Sequence, residues 1–144
     1  MSDTYGILPW RVIMTARWQG CRMVSRFTQW TLDVRDPARM AAFWSAALGY
    51  EIDADGQHLR PPADAPAGSL TVWLQPGAGA KRDKNRAHPD LHAPTGDVAA
   101  EVTRLLALGA TRADVGQTGD EGFTVLTDPE GNEFCLIHHP WRRD

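Results

Sequence analysis

The sequence predicts an α+β protein in which one unit, a strand followed by a helix and three further strands, occurs twice. Two helical stretches share a buried-face stripe and the same punctuation, one running from Asp36-Pro37 to Gly49 and the other from Asp97 to Gly109. Each follows a stretch in which polar and apolar residues alternate, the mark of a half-buried strand. The spacing repeats as well: Ala47-Leu48-Gly49 and Ala107-Leu108-Gly109 stand 60 positions apart, Gln29 and His88 59. A shared period of this size marks supersecondary units that cannot bury their apolar faces alone, and pairing two of them buries both. The 144 residues fit one domain, or two half-size modules sharing a core.

In chain order, Phe27 to Val34 alternates Gln29, Thr31 and Asp33 against Trp30, Leu32 and Val34. Asp36 then caps a helix that Pro37 can open, because the first turn has no use for its missing N–H. Met40, Phe43, Trp44, Ala47 and Leu48 form the inward stripe, and Gly49 supplies the left-handed stop. Three short strands follow at Tyr50 to Asp53, Gln57 to Arg60 and Leu70 to Gln75; the Pro- and Ala-rich stretch 61–68 is loop. The connection 76–86 places Lys81, Arg82, Lys84 and Arg86 within six positions. It reads first as a solvated linker, with a phosphate or carboxylate clamp as the alternative.

The second unit restarts at Ala87 with His88, Asp90 and His92 alternating against Pro89, Leu91 and Ala93. Its helix turns Val98, Val102, Leu105 and Leu106 inward, and strands follow at Ala110 to Val115, Phe123 to Leu126 and Glu133 to His138, with a turn at 128–132. Module one is thus 27–75 and module two 87–138, within a domain 23–144. Residues 1–22 form an extension, with Arg11, Arg17 and Arg22 against Asp3, and with Trp10 and Trp18 at no regular period. One expectation puts the natural start at Met23. Cys21 belongs to the extension, and His138 and His139 open an exposed tail with Pro140, Trp141, Arg142 and Arg143.

Composition narrows the partners. With 42% hydrophobic and 23% charged residues the chain is neither disordered nor a fibrous repeat. A net charge of −3 gives no general electrostatic reason to bind nucleic acid or an anionic membrane, so a small molecule is the expected partner. Cys21 and Cys135 lie 114 positions apart, which builds neither a disulfide framework nor a zinc knuckle and makes a reducing cytoplasm the expected compartment. The apolar runs fall short of the ~20 residues that span a bilayer, and Arg11 interrupts the N-terminal one.

Alternation also decides which side chains share a surface. The helices' apolar stripes must meet the apolar faces of the first strands, so the polar faces look the other way. If the sheets curve, Gln29, Asp33, Trp73, Gln75, His88, Asp90, His92, Glu133 and Cys135 line one concavity. A wet outer face of an antiparallel sheet is the alternative. Two histidines, two aspartates, a tryptophan and a cysteine are nonetheless an unusual mixture for an exposed strand face, and Trp73 in water is costly.

The runs Gln29-Trp-Thr-Leu-Asp-Val-Arg-Asp-Pro37, Phe43-Trp-Ser-Ala-Ala-Leu-Gly49 and Asp128-Pro-Glu-Gly-Asn-Glu-Phe-Cys135 resemble the glyoxalase/bleomycin-resistance/dioxygenase family, the vicinal-oxygen-chelate superfamily, and within it the glyoxalase-like branch. The resemblance spans about 27–138. It implies two βαβββ modules forming a curved mixed sheet around a cleft, with a divalent metal (Zn, Ni, Mn or Fe) held by one residue from the first and last strand of each module. It also implies pairing into homodimers and activities from isomerisation and lyase chemistry to ring cleavage, alongside metal-free drug sequestration. Carried over position by position, Gln29, seven residues before Asp36, and His88 match the first-strand ligands. The last-strand positions fall on Trp73, which cannot ligate, and on Cys135, seven after Asp128, with Glu133 two residues earlier on the same face. A three-ligand set of Gln29, His88 and Glu133 is the implied replacement.

Without a metal the same residues form an acid/base set: His88 or His92 beside Asp90 as general base, and Glu133 with a raised pKa against an apolar wall that includes Trp73. Two functions therefore stand side by side. One is a lyase-, isomerase- or dioxygenase-type enzyme with His88, Asp90 and Glu133 as catalytic groups and Gln29, Asp33, Trp73, Gln75, His92 and Cys135 around the ligand. The other is a metal-free small-molecule binding protein. A pure interaction module, a third class, would show an apolar surface patch in place of a lined cavity.

Overall fold

Two stretches of alternating sequence set the architecture, because each needs a helix on its apolar side. The computed structural model describes residues 24–139; the extension 1–22 and the tail beyond His139 lie outside the described residues. The chain runs β1 (Gln29–Val34), α1 (Pro37–Leu48), β2 (Glu51–Ile52), β3 (His58–Arg60), β4 (Thr71–Pro76), then β5 (Asp90–His92), α2 (Val98–Leu108), β6 (Thr111–Arg112), β7 (Phe123–Thr127) and β8 (Glu133–Ile137). The strands form two separate four-stranded mixed sheets, ordered β1-β4-β3-β2 and β5-β8-β7-β6. In each sheet the first strand lies parallel to the last, with Gln29 opposite Thr71 and Asp90 opposite Cys135, and the other pairings are antiparallel. The topology of module one is therefore repeated in module two.

The helix signals act as read. Asp36 Oδ1 accepts from the Arg39 N–H at 3.0 Å and Asp97 Oδ1 from that of Ala100 at 2.9 Å, satisfying donors that a helix start leaves free. Gly49 and Gly109 end the helices at φ +69° and +113°, where a side chain would be strained.

One core serves both modules. Trp44 of α1 meets Phe134 of β8 edge-on at 5.3 Å, and Phe43 and Trp30 surround the same indole at 5.1 and 4.8 Å. Polar contacts cross in parallel: Glu130 accepts from the backbone N–H groups of Arg35 and Asp36 at 2.9 and 2.7 Å, and Trp44 Nε1–H donates to Asp128 at 3.3 Å. From α2, Arg104 donates to the carbonyls of Ala46 and Ala47 at 2.9 Å each, closing orphan acceptors at the end of α1. Arg104→Ala should therefore lower stability by about 1 kcal/mol, discounted for an exposed guanidinium, as a shifted urea midpoint with unchanged slope.

Several strands are shorter than the alternation suggests: β1 starts at Gln29, β2 is only Glu51–Ile52 and β3 starts at His58, while β5 and β6 are cut short for local reasons. β5 begins only at Asp90, because Pro89 has no N–H for the ladder, although its carbonyl accepts from Cys135 N–H at 3.1 Å. β6 ends at Arg112. Beyond it the side chains of Asp114, Gln117 and Glu121 take up local backbone N–H groups at Gly116, Val115 and Gly119, in place of strand pairing. Among the described residues no helix is long and apolar enough to cross a membrane.

Candidate functional site

The outward face of the second sheet builds the site. Cys135 lies opposite Asp90 on one side and Val125 on the other, so period 2 turns Asp90, Val125, Phe123, Glu133 and Ile137 to the same side as its sulfur. Together with Lys84, His88 and Val115 these residues line a cavity of about 280 Å³. His88, just before β5, places Nε2 3.4 Å from Asp90 Oδ1. One ligand atom from each of His88, Asp90 and Cys135 lies within 4.8 Å of the other two.

Burial pushes the Cys135 thiol above its ordinary pKa, and the neighbouring Asp90 charge adds to this while the Lys84 ammonium opposes it. Without a cation the group is a neutral thiol beside a carboxylate. Glu133 is held differently. Burial alone would push it up, but the Asn85 N–H at 2.9 Å and Lys81 Nζ at 3.0 Å outweigh that and keep it below the ordinary glutamate value. Lys81 also donates to the Asp83 carbonyl, so the linker is folded onto β8 with its glutamate pair only 23% and 11% exposed.

The residues named from sequence fall into four groups. His88, Asp90, Glu133 and Cys135 meet at the cavity. Gln29 faces a neighbouring groove of about 440 Å³ between β1 and β5, which shares His88 and Asp90 with the cavity. Its amide donates to Thr31 Oγ1 at 3.3 Å and accepts from that of Thr71 at 3.4 Å. Asp33, Trp73 and Gln75 lie on the outward face of the first sheet and line neither hollow around His88. Trp73 stacks on His58 with ring centres 4.2 Å apart and donates to Gln75 Oε1 at 3.0 Å. The expected apolar wall of Trp73 against Glu133, and the raised Glu133 pKa with it, give way to an ion pair with Lys81.

His92 parts from His88 and Asp90 and lines a separate hollow with His138 and His139. His138 is half-buried rather than a free tail residue, with Nε2 3.0 Å from Thr124 Oγ1. Lys84 is a site residue that sequence reasoning misses; its signal is the basic run in 76–86, which reads first as solvated linker.

The implied metal can be tested against the donors. A tetrahedral ion bound at ~2.0–2.3 Å needs ligand atoms about 3.3–3.8 Å apart, and the His88–Asp90 distance already meets this. An imidazole, a carboxylate and a thiol make a borderline-to-soft set that suits zinc, and three protein ligands leave a position open. The donor set fits a divalent ion, with Asp90 and Cys135 in the places that Gln29 and Glu133 hold in the set implied by resemblance.

Comparison with known proteins agrees with the topology. The profile of the glyoxalase-like domain matches residues 29–137. Among solved structures, the chain is similar to the fosfomycin resistance protein FosX from Listeria monocytogenes, in a mutant form complexed with Mn(II) and 1S,2S-dihydroxypropylphosphonic acid. The identity is 20% and the TM-score 0.60, over 82% of this chain and 93% of that one. A hypothetical protein, SA1046 from S. aureus, matches at 22% identity and TM-score 0.55, over 80% and 97% of the two chains. A glyoxalase/bleomycin resistance protein/dioxygenase family enzyme from Burkholderia phytofirmans matches at 18% and 0.55, over 78% and 97%. No curated protein matches the chain. With the repeated βαβββ topology and the match over 29–137, the chain belongs to the glyoxalase-like domain family.

Proposed function

We propose that the chain is a metal-dependent enzyme of the lyase, isomerase or dioxygenase type. It acts on a small molecule held on the outward face of the second sheet, with His88, Asp90 and Cys135 holding the ion. The observation that carries this reading is the convergence of three chemically different donors within 4.8 Å at the wall of a cavity. A divalent cation bound there supplies Lewis-acid polarisation of a substrate oxygen. The Mn(II) in FosX supports a metal in this fold, although the thiol here favours a softer ion.

The chain's own groups have separable tasks. Asp90 Oδ1 and His88 Nε2, 3.4 Å apart, are already placed to face one ion together. Val115, Phe123, Val125 and Ile137 exclude water from one wall. Glu133, already paired, positions the linker rather than moving protons. The same proposal includes a homodimer, supported by the half-buried Trp73 on the open face of the first sheet, and a reducing cytoplasm, where the thiol persists. The metal-free binder remains the second reading, favoured by that apolar wall.

The test is the metal content of purified, untagged protein after exposure to Zn, Ni, Mn and Fe(II) and dialysis, measured by inductively coupled plasma mass spectrometry. About one retained ion per chain is expected, with zinc the most firmly held, and none in His88→Ala with its melting temperature unchanged. No retained ion in the wild-type chain would leave the sequestration reading.

A further inference from the structure

The linker is more than a connection. Between the modules it crosses the second sheet and is fastened there at two points, Lys81 Nζ and the Asn85 N–H, both on the Glu133 carboxylate at 3.0 and 2.9 Å. Between those anchors stands Lys84, which lines the cavity beside His88, Asp90 and Cys135. Lys81 is neutralised by Glu133, whereas Lys84 has no carboxylate within ion-pair distance among the described residues. Holding the flanking residues by two charge-assisted bonds lowers the entropy lost when an ammonium in the middle engages a ligand. The cavity is also lined by Val115, Phe123, Val125 and Ile137. A small hollow lined by one lysine without an ion-pair partner and by four apolar side chains is complementary to a molecule that is anionic at one end and apolar at the other.

We propose that Lys84 makes this cavity selective for small organic carboxylates, the carboxylate meeting the Lys84 ammonium and the apolar body lying on Phe123, Val125 and Ile137. The proposal rests on the functional reading above only in using the same cavity, since it names the substrate class and does not require the metal. Asp90 offsets part of this attraction at the His88 and Cys135 end of the cavity, so the carboxylate is expected to bind on the linker side, against Lys84. At about 280 Å³ the cavity favours a body of one ring or a short branched chain.

The experiment titrates the full chain with benzoate and with its neutral isostere benzamide by ligand-observed NMR, in the presence of EDTA so that no metal–carboxylate bond contributes. Benzoate should bind about tenfold or more tighter than benzamide, Lys84→Gln should erase that difference, and Lys84→Arg should keep it. Equal binding of the two probes, binding of neither, or a preference that survives Lys84→Gln would each overturn the proposal. Metal retention, measured in parallel on the wild-type chain, separates the two readings. Retained zinc without benzoate selectivity sinks the carboxylate proposal alone, and selectivity without any retained ion sinks the metal reading alone.

Discussion

Asp128→Ala should lower the melting temperature by about 10–15 °C. Asp128 is 2% exposed, yet both its oxygens are used: Oδ1 accepts from the backbone N–H groups of Glu130 and Asn132, and Oδ2 from Trp44 Nε1–H. Asn132 Nδ2 bridges the two oxygens at 3.2 and 3.0 Å. Removing the carboxylate strands the indole N–H of a tryptophan that is itself 1% exposed and frees the turn that carries Glu130 to the start of α1. An unsatisfied buried donor costs about 1–3 kcal/mol, and lost bonds to a charged acceptor add a similar amount, for roughly 3–4 kcal/mol together. At about 3–4 °C per kcal/mol for a chain of this size, that gives the stated shift, readable by circular dichroism during heating. A fall under about 3 °C would show that the turn holds without its carboxylate.

The same group has a pH signature. Burial raises the Asp128 pKa above 3.8, and its hydrogen bonds to Asn132, Glu130 and Trp44 only partly offset the rise. Between 3.8 and the raised value the folded chain therefore binds more protons than the unfolded one, so this group's contribution to stability falls as pH climbs through that window. Asp128→Asn removes that slope while keeping one acceptor oxygen, and should cost less at neutral pH than Asp128→Ala.

Much of this framework was legible because it is local. Asp36, Pro37 and Gly49, and their counterparts Asp97 and Gly109, act within one helical turn, so sequence spacing alone locates both helices. Alternation located Cys135 and Asp90 on one face because a strand's period does not depend on its partner. It could not say what covers that face. Glu133 reads as a free carboxylate until Lys81, 52 positions away, is brought onto it, and Lys84 reads as linker until the linker is folded down. His92 continues the period of His88 and Asp90, yet the chain beyond it turns toward α2, so its ring lines a different hollow. Strand period gives direction relative to a sheet; loops decide which same-facing residues share a cavity.

Cys135→Ala should weaken zinc binding by at least about 100-fold while leaving the fold intact, and this separates the donor set assembled by the second sheet from the one implied by resemblance. Loss of even an outer hydrogen-bond partner of a metal ligand costs about 10–100-fold in affinity, so loss of a ligand atom should cost no less than the upper end. The thiol of Cys135 on β8 sits opposite Asp90, and trimming it to a methyl group removes a single buried sulfur atom, so the melting temperature should move by only a few degrees. Glu133→Gln is the contrasting variant. Its carboxylate already holds Lys81 and the Asn85 N–H, so its replacement should loosen the linker and weaken zinc binding by less than about tenfold. Competition with a chromophoric chelator gives both affinities. Co(II) substitution adds an independent signature, since a thiolate ligand produces an intense near-ultraviolet band that Glu133→Gln keeps and Cys135→Ala abolishes. The reverse ranking, with Glu133→Gln the more damaging and the cobalt band unchanged in Cys135→Ala, would return the site to the carboxylate and show that Lys81 yields its partner when the ion enters.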